Sequence, residues 1–596
     1  MSTLPRILLS ILLIGALTTR LSATVLTARL ATPDGMNQLY ADYWEEFLRA
    51  NPIMATFVGD NRFNDQYGVI TSAEERANTH KLSNKYLDQL SFLDPSELPP
   101  EDRISFDLFE YQLSNEWHSL KYPSHLLPIN QMSSMHLILA QMGSGQLAQP
   151  FKTVQDYDNW LARVADFAPY VEGIITDMRT GIEQGIVLPE ALAKPIIPQL
   201  AAIGNPDLTK NVFMKPVNKF PEGFSEEDQI RLTAAYNVIV GDEIVPAYQR
   251  LHDFLKNEYL PACRDTVGLS DLPGGTEWYA YKVRTSTTTD LTPEQIHDIG
   301  LKEVARIRAL MEKAKERVGF DGTLAEFYRH LDEDPALKFQ NCEEMQAAYE
   351  GMRERVLAAV PQFFGRTPKT SFEIRQMEAF REVSAPPAQY NRGLPDGSRP
   401  GIFYFNAYQP ETRSRYTTEA FFAHEAIPGH HFELSLASEH AELPAFRRFG
   451  GETAYSEGWG LYSEMLGKEM GLYTDPYQWI GRLSAEIWRA CRLVIDTGLH
   501  AKGWTREQSI AYFLENTPQN EAVAIQEVER YIAIPGQALS YKIGELKLLE
   551  LRERAETTLE DDFDIRAFHD EILAHGSVPL SVLDAAVDRW IATQKK

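Results

Sequence analysis

Helical periodicity constrains this chain more than any other feature. Apolar residues recur at steps of three and four through long runs near 36–54, 72–94, 152–186, 224–258, 293–318 and 342–363. More such runs lie near 417–441, 452–471, 476–502, 519–529, 537–557 and 579–594. Strand signals are few, and the best is the short aromatic run GIFYFNAY at 401–408. The expected fold is therefore mainly α, with a central cleft between two helical halves and a short edge strand near the candidate site. Pro/Gly-rich connectors occur near 204–223 and 384–400, and neither reads as a linker between independent domains. The second reads as a long loop leading into the strand. A single, mostly helical domain is expected over residues 24–596, with an N-terminal half of about 24–383 and a C-terminal half of about 384–596.

The N-terminus has its own signature. Arg6 precedes an apolar run from Ile7 to about Ala16, the size of a signal-peptide core and too short to span a membrane comfortably. Residues 1–23 are expected to be a leader cleaved after Ala23, and the mature chain to be periplasmic or extracellular. No cysteine follows the apolar core, so neither a lipid anchor nor any stable membrane anchor is expected after cleavage. The formal charge is −26, and loss of Arg6 and Arg20 with the leader takes it to −28. So acidic a chain argues against nucleic-acid or anionic-membrane partners. Three cysteines in 596 residues are too few for a disulfide framework. Cys491, in an apolar helical stretch, reads as a buried thiol.

The stretch AHEAIPGHH at 423–431 carries the chemistry. The zinc-peptidase pattern H-E-x-x-H puts two histidines one helical turn apart, about 6 Å in rise and on one face, with the glutamate aimed at the bound water. Here the later histidines come at i+6 and i+7. In a regular helix His430 would face away, and His431 would lie about 10.5 Å further along. Pro428 rules out a regular helix. It has no N–H for the carbonyl of His424, and its ring clashes with that carbonyl. Gly429 then permits an unusual turn, so a kink can return either His430 or His431 to the side of His424. Three of the chain's 14 histidines fall within the eight positions 424–431, one directly followed by Glu425, which favours metal binding over surface polarity. Thr417 and Thr418 are expected to cap the helix, with Glu419 in its first turn.

A third ligand is sought on the next helical run, where Glu452, Glu457 and Glu464 are candidates. Glu457 stands out among Tyr455, Ser456, Gly458, Trp459 and Gly460, whose small residues allow close approach. Glu464, seven residues on and on the same face, can support the ligands, and Glu452 and Glu469 read as solvent-facing acids. Arg489, Arg492, Asp496 and His500 form a polar stripe on an otherwise apolar helix. Local pairing is one reading; the other is a cleft wall, with Arg489 or His500 binding substrate or supporting ligands. Tyr531, Gln537, Tyr541 and Lys542 flank a Pro-Gly turn and can present donors, a tyrosine hydroxyl suiting the oxyanion of a hydrated carbonyl.

Together HEAIPGHH (424–431), YSEGWGLYSE (455–464), RLVIDTGLHAKGW (492–504), YIAIPGQALSYKIG (531–544) and FHDEILAHGSVPL (568–580) make the chain similar to the bacterial domain-of-unknown-function 885 family, exported proteins of zinc-peptidase type. The similarity covers most of the mature chain, with its specific motifs after about residue 400. It implies a large helical peptidase fold resembling the helical glutamate-zincins. Those relatives place the glutamate ligand roughly 25 residues after the second histidine, and His430 to Glu457 is 27 positions. By that resemblance His424, His430 and Glu457 hold one Zn2+ per chain, with His431 as the alternate ligand, and Glu425 is the base. It also favours Tyr531 or Tyr541 as the oxyanion donor and likens the strand bearing Tyr404 to an edge strand along which peptide binds. The implied partner is a peptide substrate, with Tyr404, Arg489, His500 and Lys542 as the candidate binding residues. The alternatives are a zinc hydrolase of another amide or ester, and a non-catalytic exported helical binding protein.

Overall fold

The structure, a computed structural model, describes residues 32–68, 73–377, 382 and 386–595. The expected leader lies outside the described residues. Helix outweighs strand by 70% to 3%, so the fold is mainly α. No described helix is long and apolar enough to cross a membrane.

The elements that build and support the candidate site lie after residue 274. They are α1 (Gly275–Thr287), α2 (Pro293–Arg317), α3 (Cys342–Phe363), β1 (Phe372–Gln376), β2 (Ala388–Asn391), β3 (Gly401–Phe405), α4 (Thr418–Glu425), α5 (His430–Glu439), α6 (Thr453–Leu466), α7 (Pro476–Ala501), α8 (Glu521–Ala533) and α9 (Ser540–Leu559). Their ends follow local chemistry. Asn520 caps α8 by accepting the N–H of Val523, and Asp475 caps α7 by accepting that of Tyr477. The expected cap on α4 is absent: Thr417 makes no capping bond and its hydroxyl donates to Ser414 O instead. Glu419 stands in the first turn as expected, and is buried beneath Arg355 and the backbone N–H of Tyr473.

At the centre runs α7, whose residues are all buried from Ile480 to His500. It packs most extensively on α2, and α6 packs most extensively on α9. The α6–α9 crossing is tight because glycine meets glycine. A Cβ on Gly458 would lie 2.5 Å from the carbonyl carbon of Gly544, and one on Gly544 would lie 1.9 Å from Ala454 O. The two large apolar cores do not divide near residue 384. One joins helices of the 139–331 region to α7 and α8, and the other joins the 36–113 helices to the small sheet, α4, α6 and α9. Each part of the sequence is thus stapled to the other.

The three-stranded sheet has the order β1-β3-β2, with β1 parallel and β2 antiparallel to β3. This corrects the reading of 401–408 as an edge strand. The supposed loop 384–400 supplies β2, which covers β3 on one side while β1 covers it on the other. Tyr404, paired with both Arg375 and Gln389 in register, sits on the inner strand and is buried. The free edge beside α4 belongs to β2.

Gly544→Ala forces a methyl group into the carbonyl of Ala454. It is expected to destabilise the fold by about 1–3 kcal/mol, the usual cost of overpacking, lowering the midpoint of a thermal melt. An unchanged midpoint would mean that the α6–α9 crossing is looser than described.

Candidate metal centre

The helix of the HEAIPGHH segment stops at Glu425, and a new one begins at His430. Between them the Ile427–Pro428 peptide is cis. Gly429 lies so close to the preceding turn that a Cβ there would come within 1.7 Å of His424 O. Trp459 on α6 donates its indole N–H to Pro428 O at 2.9 Å, pinning the turn. The break brings His430 back to His424, their ring centres 4.9 Å apart and nearly perpendicular.

Glu457 closes the group. Its Oε2 lies 3.4 Å from His424 Nε2 and 3.6 Å from His430 Nε2. Ligand atoms of His424, His430 and Glu457 all fall within 4.8 Å of one another, the one such cluster among the described residues. The remainder of the EGWG run explains how this is possible. Gly460 leaves room for the His424 ring, since a Cβ there would lie 2.5 Å from its Cε1. His424 is deeply buried, while the His430 and Glu457 side chains keep 12% and 19% of their exposure, so the group is reached from the His430 side.

Outer carboxylates orient both rings. His424 Nδ1 lies 2.8 Å from Glu464 Oε1, and that oxygen also takes a bond from Arg489 Nη2 at 3.2 Å. His430 Nδ1 lies 3.4 Å from Glu433 Oε2, which accepts a further bond from Ser456. Bonding each Nδ1–H to a carboxylate leaves each Nε2 lone pair facing inward, the arrangement that metal-binding histidines use. Burial disfavours charged imidazole, yet the bonds to Glu457 and Glu464 outweigh it at His424, and those to Glu433 and Glu457 do so at His430. Both pKa values are raised, that of His430 strongly. Glu457 is held well below the usual carboxylate range; burial opposes this, but its two histidine partners prevail. Two nitrogens and an oxygen, ringed by further carboxylates, suit a divalent cation of zinc's preferences.

Glu425 sits beside this group. Burial raises its pKa, and the charges of His430 and His424 pull the other way. Its Oε2 accepts the backbone N–H of Tyr390 from the β2 edge at 2.9 Å. Tyr541 stacks against His424 with ring centres 6.4 Å apart, and its hydroxyl accepts from Arg530 at 3.1 Å.

Other residues singled out by sequence are placed elsewhere. His431 points into the sheet, where its Nδ1 meets the Tyr390 hydroxyl at 2.8 Å and its ring packs on Phe372. Burial lowers its pKa to about 4. Tyr531 gives its hydroxyl proton to Glu527 at 2.7 Å. His500 is fully buried between Leu269 N–H and Tyr531 O. Lys542 is enclosed by Glu486, Glu545 and Glu303, and Arg489 serves Glu464. None of these four faces the open side of the metal group. The polar stripe does not pair along its own helix: Arg492 bonds Glu527, while Asp496 accepts from Tyr279 and from Gly536 N–H. Glu452 is buried with Gln112 rather than facing solvent. Sequence reasoning assigned no role to Glu433, Tyr390 or Arg530. Glu433 had a signal, as it stands three residues after His430 on a new helix, and the other two had none.

Fold and site define a mainly helical protein with a two-histidine, one-glutamate group of metal-ligand type. The chain belongs to the family described as bacterial protein of unknown function (DUF885), whose profile matches residues 52–587. No functionally curated protein matches it. It is similar in structure to a "putative lipoprotein" from Colwellia psychrerythraea, with 28% identity and a TM-score of 0.88 over 94% of this chain and 99% of that one. A second protein of that description, of unknown function, from Shewanella oneidensis shares 18% identity with a TM-score of 0.70 over 92% and 98% of the two chains.

His430→Ala is expected to abolish stoichiometric zinc binding, while His431→Ala retains it and melts at lower temperature. Metal analysis after dialysis against zinc-containing buffer distinguishes the two, and loss of zinc only in His431→Ala would reverse the assignment.

Proposed function

We propose that this protein is an exported zinc peptidase, holding one Zn2+ on His424, His430 and Glu457 and cleaving peptide bonds with Glu425 as base. The reading rests on one observation, the convergence of two inward-facing imidazole nitrogens and a carboxylate oxygen beside a second, half-buried carboxylate. Three protein donors leave a fourth position for water or substrate, the mark of a catalytic rather than a structural zinc site. Zinc bound there supplies Lewis acidity, polarising a carbonyl and making a water more acidic.

The chain's own residues divide the remaining work. The β2 backbone fixes Glu425 through one carboxylate oxygen, Oε2. The other is left to take a proton from the attacking water and pass it to the departing amine. Its raised pKa brings it nearer to the pH at which such transfer is efficient. Tyr541 is the better oxyanion donor of the two tyrosines. Its oxygen accepts from Arg530, so its own proton is free to point at the substrate, whereas that of Tyr531 is committed to Glu527. The exported location rests on the expected leader, and the description of the Colwellia relative as a "putative lipoprotein" supports it.

Glu425→Gln is expected to keep zinc and lose activity on a peptide library by roughly 100- to 10,000-fold; full activity in that variant would refute the mechanism. Tyr541→Phe is expected to reduce kcat roughly 100-fold with zinc content unchanged. Tyr531→Phe, which leaves Glu527 without its hydroxyl partner, is expected to lower thermal stability instead. The opposite pattern in kcat would exchange the roles of the two tyrosines.

A further inference from the structure

A cavity separate from the histidine group lies where α1 meets the end of α8. It has a volume of about 130 Å3, close to the roughly 150 Å3 of an engineered apolar cavity that binds benzene. Its walls are mainly apolar, with Leu192, Trp278 and Ile532 among them. Two cations also line it, Lys282 and Arg264. Arg264 is spoken for: its guanidinium bonds the carbonyls of Val187, Thr266 and Gly268. Lys282 is different. It stands one helical turn after Trp278 on α1, and its ammonium makes no hydrogen bond or ion pair among the described residues. Burial lowers its pKa, and no neighbouring charge contributes. The carboxylate of Asp271 lies 3.9 Å from the Arg264 guanidinium.

A half-buried ammonium with no counter-charge is costly to keep, and here it lines an apolar-walled space large enough for a few carbon atoms. We propose that this cavity is a binding site for a small monocarboxylate with a short apolar tail, its carboxylate on the Lys282 ammonium and its tail against Leu192, Trp278 and Ile532. An amino acid is a poorer match, because no acidic side chain lines the cavity to receive an ammonium group. The site adjoins the last residues of α8, Ile532 and Ala533, and Pro535 in the connector that follows. The proposal does not depend on the peptidase reading.

The test uses the full chain stripped of metal with a chelator, so that carboxylates cannot be captured by the histidine group. Isovalerate and its neutral isostere isovaleramide are titrated by calorimetry. Saturable binding of isovalerate is expected, with at least tenfold weaker binding of the amide. Lys282→Met should abolish isovalerate binding while raising the melting temperature, since it removes an uncompensated charge. Leu192→Phe, which fills the cavity and keeps the charge, should also abolish it. Equal binding of acid and amide, no binding of either, or unchanged isovalerate binding in either variant would overturn the proposal.

Discussion

Burial of α7 is the constraint on which the rest of the structure depends. This 26-residue helix carries Arg482, Glu486, Arg489, Arg492, Asp496 and His500 within a stretch where every residue is buried. Ionic groups taken from water must find partners, because an unpaired buried charge costs several kcal/mol. Arg482 pairs with Glu486 along the helix, and the others find partners on other elements. Glu486 meets Arg306 of α2 and Lys542 of α9, Arg489 meets Glu464 of α6, and Arg492 meets Glu527 of α8. Asp496 meets Tyr279 of α1, and burial raises its pKa to about 7. Charge pairing therefore fixes which helices surround α7 and in what rotation.

The candidate site is built on that frame. Glu464 has one oxygen shared between Arg489 and His424, so the central helix reaches the metal group through a single carboxylate. On the far side, Glu527 collects Arg492, Arg530 and the Tyr531 hydroxyl, and Arg530 then holds Tyr541 beside His424. Residues that look like substrate contacts on a helical wheel, such as Arg489 and Lys542, are spent on holding the scaffold. The open side of the group is left to Glu425, Tyr541 and the β2 edge.

Sequence made part of this legible. Pro428 and Gly429 forbid a regular helix, so the break between α4 and α5 could be read directly, as could the tight approach implied by the EGWG run. Periodicity also located most of the long helices. It did not reveal Glu190–Ile203, where Pro195 and Pro198 disguise the helix. Nor did it reveal Gly275–Thr287, which begins at a glycine pair and is rich in aromatic and β-branched residues. The order of strands was hidden because a four-residue strand inside a proline-rich loop has no periodicity of its own, and with it went the true neighbour of Glu425. Whether α7's charges paired along the helix or with other helices was equally beyond reach, since both satisfy the same spacing. The choice between His430 and His431 turned on where one kink sends adjacent residues: one ring faces Glu457 and the other the Tyr390 hydroxyl.

The most direct test of the account is anomalous diffraction at the zinc absorption edge from crystals of the zinc-loaded protein. A single strong peak is predicted, about 2.0–2.2 Å from Nε2 of His424, Nε2 of His430 and a carboxylate oxygen of Glu457. No peak at that position, or a peak ligated by His431, would contradict it.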